Sequence, residues 1–123
     1  MKKDIMEQYY GHYNRRDHES LVSFYTDDVM YEFEDLKLKG KEAIANSIGE
    51  IQEVLSKDIL KSFSLLVDGD KVAVEMENEV ETKVDLPDFL GRPMKAGEPF
   101  TFRVAVFYDC RGDKICHIRI YSF

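Results

Sequence analysis

The chain has 123 residues, 44% of them hydrophobic and 33% charged, which is the balance of one folded domain rather than of a disordered segment. A formal charge of −7 disfavours phosphate backbones and anionic lipid, so no nucleic acid and no membrane surface is expected as a partner. A ligand should be uncharged, cationic or buried.

Residues 2 to 16 place Ile5, Met6, Tyr9, Tyr10 and Tyr13 at helical spacing, with Lys2, Lys3, Glu7, Asn14 and Arg15 elsewhere, an amphipathic helix with an aromatic face. Asp17 can cap a short second helix that buries Leu21, Val22, Phe24 and Tyr25 and ends at Asp27-Asp28. Val29 to Glu34 then alternates as a strand, Tyr31 and Phe33 opposite Met30, Glu32 and Glu34, with Leu36 to Gly40 as its hairpin partner. Lys41 to Lys57 returns to helical spacing, with Ile44, Ile48, Ile51 and Leu55 in one stripe that should lie on a sheet.

Ile59 to Val67 reads as a strand, Asp68-Gly69-Asp70 as a turn, and Lys71 to Val84 as a long partner strand. There Val72, Val74, Met76, Val80 and Val84 face one way and Glu75, Glu77, Glu79 and Glu81 the other. Four like charges at period two need positive neighbours, which Arg103 and Arg119 can supply across the sheet. Asp85 to Pro99 is a connection containing Leu86, Phe89, Leu90 and Met94, a candidate lid.

Phe100 to Tyr108 and Lys114 to Phe123 form the clearest signal, a terminal hairpin turning at Asp109, Arg111, Gly112 and Asp113. Phe102, Val104 and Val106 share one face of its first strand. In its second strand Cys116, Ile118, Ile120 and Ser122 oppose Ile115, His117, Arg119, Tyr121 and Phe123. Both faces carry apolar residues, so helices should cover one and a partner subunit the other. Cys110 at the turn and Cys116 in the strand are poor cross-strand partners, so no disulfide is expected. His12, His18 and His117 lack metal-ligand spacing with the two cysteines, and neither a metal nor a cofactor is expected.

Helices first and antiparallel strands last imply an α+β fold over residues 1–123: three helices in the N-terminal half on one face of a curved, mixed but mostly antiparallel sheet, enclosing a cone. Function belongs in that cone. No apolar run approaches the roughly 18 residues of a bilayer span, and Met1-Lys2-Lys3-Asp4 leads into a helix rather than a signal core, so the expected location is the cytoplasm.

The element order, with YYGHYNRRDHESLVSFYTDDVMYEFED, LKGKEAI and FLGRPMKAGEPFTFRVAVFYDCRGDKI, resembles the SnoaL-like and ketosteroid-isomerase-like proteins of the nuclear transport factor 2-like superfamily across the whole chain. The resemblance implies the cone, and it leaves the reaction open, because the superfamily holds isomerases, cyclases, epoxide hydrolases, dehydratases and non-catalytic binders. It aligns Tyr9 with the isomerases' oxyanion-donating tyrosine. Their general base falls on Phe33 and their protonated carboxyl on Val104. The aspartate and histidine of the cyclases fall on Phe123 and Ile118, with His117 one residue away.

Alternation together with the resemblance lines the cone with Tyr9, Tyr13, Tyr31, Phe33, Met76, Val104, Val106, Cys116 and Ile118, a setting for a small apolar or aromatic molecule. Three functions follow. The chain binds such a molecule without chemistry; or it is an isomerase-like or cyclase-like enzyme, with Asp35 at the rim as proton carrier and Tyr9 or Tyr13 as electrophile. Or it is an interaction module and homodimer that pairs through Arg103, Phe107, His117, Arg119, Tyr121 and Phe123 on the outer sheet face.

Overall fold

The computed structural model describes residues 1–89 and 91–122, so Leu90 and Phe123, assigned above to the connection and to the outer face, lie outside the described residues. Helix α1 spans Lys3–Asn14 and buries Met6, Tyr9 and Tyr10. Asp17 accepts a hydrogen bond from the Ser20 N–H at 3.2 Å and so caps α2, His18–Val22, by supplying an acceptor to an otherwise orphan donor. Strand β1 (Tyr25–Phe33) starts four residues ahead of the expected Val29, and β2 (Leu36–Lys39) returns along it.

Helix α3 runs Lys41–Val54, and here the structure departs from the expected boundary. Leu55 continues the helical stripe in sequence, but its backbone is extended and it pairs with Thr82, so strand β3 is Leu55–Asp68. Register shifts between Leu55 and Lys57 and between Leu60 and Ser62 break its alternation. As a result Leu55, Asp58 and Leu60 all turn inward and are buried.

Strand β4 is Lys71–Thr82. The Asp85–Pro99 connection folds into a small hairpin of β5 (Leu86–Phe89) and β6 (Arg92–Met94) instead of an unstructured loop. Its Leu86, Phe89 and Met94 pack with Leu55, Val80, Phe100 and Phe102 in a satellite core, and that burial stabilises the hairpin. Strands β7 (Phe100–Arg111) and β8 (Lys114–Ser122) complete the chain, turning at Gly112, whose φ of 61° lies in the left-handed region that glycine enters without strain.

Six strands form one sheet in the order β2-β1-β8-β7-β4-β3, with β1 and β8 parallel and every other neighbour antiparallel. The fold is therefore the expected α+β arrangement of three helices against a curved, mostly antiparallel sheet. Met6, Tyr9, Tyr10, Leu21 and Ile44 from the helices share one core with Val72, Val74, Met76, Val104, Val106, Tyr108, Ile115 and Ile118 from the sheet.

A second break of alternation lies in β8. The β7–β8 register shifts between Asp109 and Cys110, and Ile115 and Ile118, three apart, are both buried. Strict alternation put Ile115 on the outside and Cys116 inside. The bulge reverses that order, and the Cys116 thiol is instead 3.3 Å from the Asp109 carbonyl. On the outer face the glutamate row meets the expected arginines only in part: Glu77 lies opposite Arg103 in register, but Glu79 pairs with Lys57, and Arg119 bonds Asp109 at 3.1 Å. Among the described residues no helix is long and apolar enough to cross a membrane.

Candidate functional site

Between the helices and the inner face of the sheet lies a cavity of about 300 Å³. Tyr9 and Tyr13 reach it from α1, Tyr31 and Phe33 from β1, Met76 from β4, Val104 and Val106 from β7, and Ile118 from β8. Leu36, Ile51 and Phe89 line it as well; the first two are exposed to solvent, which marks its open side. Period two in the strands and 3.6 in α1 turn these side chains to one place. Two sequence-derived positions are not in the wall. Cys116 is directed away by the β8 bulge, and Asp35 is exposed in the tight turn between β1 and β2, so the proton carrier expected there is absent from the cavity.

A different carboxylate takes the inner position. Asp58 is only 5% exposed and lines the cavity, where the Tyr13 hydroxyl donates to both its oxygens at 2.9 Å. Gln52 Nε2 donates to Oδ2 at 2.8 Å, and Asn78 Nδ2 approaches Oδ1 at 3.5 Å and the Tyr13 oxygen at 3.4 Å. Donors alone face Asp58, which suits the ionised carboxylate, an acceptor only. Burying a charged or polar group is tolerable when hydrogen bonds replace water in this way.

The tyrosines divide by their hydrogen bonds. Tyr9 and Tyr25 share one at 2.6 Å, and Tyr10 and Tyr108 another at 2.7 Å, both within the core. Tyr13 is committed to Asp58. Burial first, and the Asp58 charge second, push the Tyr13 hydroxyl well above its ordinary pKa, so it remains a donor. Burial alone raises Tyr31 to about 12, and its hydroxyl has no hydrogen-bond partner among the described residues. Tyr31 is therefore the cavity hydroxyl free to meet a ligand.

His18 also lines the cavity, and burial, then the Arg16 charge, lower its pKa below the usual 6.5. A neutral imidazole at pH 7 follows. Since the unfolded chain then holds the extra proton, His18 withdraws stability as pH falls below about 6.5. His18→Gln should thus lose less in Tm between pH 7 and 5 than the parent, as followed by circular dichroism; an equal or larger loss would contradict the assignment.

A model of the SnoaL-like domain family matches residues 6–118. The chain belongs to the SnoaL-like family. Among curated proteins nothing matches. Solved structures similar to this SnoaL-like chain include a proposed polyketide cyclase from Xanthomonas campestris, TM-score 0.84 and 19% identical, covering 96% of this chain and 87% of that one. A protein with a ketosteroid isomerase-like fold from Catenulispora acidiphila, solved in complex with trimethylamine, scores 0.79 at 15% identity over 98% and 86%. An LEH-like epoxide hydrolase of M. tuberculosis scores 0.75 at 16% identity over 98% and 80%. At such identities the likeness fixes the fold.

Measured against the family's chemistry, Phe33 and Val104 stand in the cavity wall without a titratable group, and Phe123 lies outside the described residues. His117 is not in the wall; its Nε2 is 2.6 Å from Glu32 on the outer side of the sheet. Sequence reasoning missed Gln52, Asp58 and Asn78. One signal was present: Asn78 occupies a core-facing step of the series Val72, Val74, Met76, Val80, where a polar residue requires a partner.

Proposed function

We propose that the cavity of this SnoaL-like chain admits a small, largely apolar molecule and that Asp58 takes a proton from it. The observation that supports this reading is the buried Asp58 carboxylate on the cavity wall, held by Tyr13, Gln52 and Asn78. Binding alone needs no titratable group at such depth, and a carboxylate held in the wall within reach of a bound molecule is placed to act as a general base. Tyr31 is the hydroxyl available to meet negative charge that develops on the substrate. Its position in the same wall makes an acid–base pair of unlike roles. Neighbours of this fold include proposed cyclases and an epoxide hydrolase-like enzyme, and such chemistry agrees with proton transfer.

5-Nitrobenzisoxazole tests the base directly. Asp58 would remove the C3 proton, the N–O bond would break, and the electron pair would leave on oxygen as a coloured phenolate. Saturable turnover well above that given by acetate at equal carboxylate concentration supports the reading. A rate no greater than acetate's overturns it.

The outer sheet face supports a second, compatible reading, that two copies of the chain pair through it in the cytoplasm, where the thiols of Cys110 and Cys116 stay reduced. Phe107 and Tyr121 pack edge to face at 5.8 Å yet are 42% and 54% exposed, and Leu66 is 72% exposed nearby. Sedimentation velocity across a concentration series should show a dimer that Tyr121→Glu weakens. A monomer at all concentrations would reject the interface.

A further inference from the structure

The polar end of the cavity has a directional deficit. The donors gathered at the carboxylate are engaged with it: the Tyr13 hydroxyl, Gln52 Nε2 and Asn78 Nδ2 converge on Asp58. What is left unsatisfied beside Asp58 is an acceptor. Gln52 Oε1 is buried and has no hydrogen-bond partner among the described residues, and its orientation is fixed because Nε2 of the same amide is held by Asp58. A carboxylate offers about four acceptor positions, and Asp58 receives three donor groups, one of them distant. A ligand group that completes this end must therefore donate.

Charge decides which donor. Asp58 makes no salt bridge among the described residues. Lys57, next to it in sequence, pairs with Glu79, and Arg16 donates to the backbone carbonyls of Gln52 and Leu55 at 3.1 and 3.0 Å. A buried carboxylate without a cation is costly, and a cation entering with the ligand would offset that cost. The adjacent wall is aromatic, with Tyr9, Tyr13, Tyr31 and Phe33, and ring faces attract ammonium groups. An anion would meet the Asp58 charge, and a neutral hydroxyl would leave that charge uncompensated.

We infer that the molecule taken by this cavity is a small protonated amine bearing an apolar or aromatic body, its N–H groups donating to Asp58 and to Gln52 Oε1. The inference rests on the reading of the cavity as the ligand site with Asp58 as its polar group. Gln52 is on this view a specificity-determining residue. It distinguishes a ligand that donates from one that only accepts, since a ligand lacking the donor leaves the amide oxygen buried and unpaired.

Benzylammonium and benzyl alcohol, nearly equal in shape and both donors, separate the charge from the hydrogen bond. In isothermal titration at pH 7 benzylammonium should bind about tenfold more tightly than the alcohol, because a charge-assisted hydrogen bond is worth about twice a neutral one. Asp58→Asn should erase that preference. Gln52→Met, which removes the acceptor without altering charge, should weaken benzylammonium several-fold and so provides a test if the Asp58 variant fails to fold. Equal affinity for the two probes, no binding of either, or a preference unchanged by both variants would overturn the inference. The 5-nitrobenzisoxazole assay keeps the two readings apart. Turnover without amine preference removes the ligand class alone, and amine preference without turnover removes the proton-abstraction role alone.

Discussion

Asp58→Asn should lower kcat/KM for 5-nitrobenzisoxazole by about 10²- to 10⁴-fold, the range that a positioned general base contributes. Asparagine keeps the size and planarity of the side chain and removes its proton-accepting charge. It also presents an NH2 group to Tyr13, Gln52 and Asn78, all of which donate to the carboxylate, so the local network must rearrange. Far-ultraviolet circular dichroism and the sedimentation profile separate that rearrangement from loss of fold. Tyr13→Phe is the informative companion: it leaves the base in place and removes the hydroxyl that orients it, so its rate should fall between the parent and Asp58→Asn. An asparagine variant with the parent's rate would show that another group takes the proton.

Ile115→Ala should destabilise the chain by about 2–5 kcal/mol, with Tm falling by roughly 10 °C or more in thermal unfolding. Ile115 is 0% exposed, its N–H bonds the Phe24 carbonyl at 2.7 Å, and it does not line the cavity, so truncation opens a new void in packed surroundings. Ile118, three residues along the same strand and also buried, does line it. Part of its surface already faces open space and has no contacts there to lose, so Ile118→Ala should cost distinctly less. Equal losses would mean that the cavity closes in solution and that Ile118 is packed on all sides.

The contrast between those two isoleucines also shows where the sequence was readable. Elements with clean periods were: the aromatic face of α1, the Asp17 cap, and the alternating inward residues Val104 and Val106 of β7 with Tyr31 and Phe33 of β1. Eight of the nine wall positions reached from alternation and family resemblance lie around the cavity, because a pleated strand has few ways to aim its side chains. The ninth, Cys116, fails at a bulge, and bulges depend on partner-strand register rather than on local composition.

Asp58 failed for two reasons together. It sits where helical spacing gives way to a strand, and two register shifts in β3 decide its direction. Asp35 looked suitable because it followed the first strand, but a turn residue that no neighbouring element covers remains in water. Charge pairing across the outer face was also only partly legible. Arg119 is on β8, which β7 separates from β4, and it bonds Asp109 of the adjacent β7, since attraction falls with separation.

The place of β8 in the sheet has a consequence for how the chain reaches this state. Made after both of them, it lies between β1 and β7 and is parallel to β1, a strand about 80 residues earlier in the chain. Until β8 emerges during synthesis, β1 and β2 have no route into the larger sheet. The apolar residues Val29, Tyr31 and Phe33 then wait without their neighbouring strand. Contacts of such sequence separation slow folding, because the loop must close before any of them is rewarded. Dependence on a chaperone should therefore concentrate in the interval before the nine-residue β8 is complete.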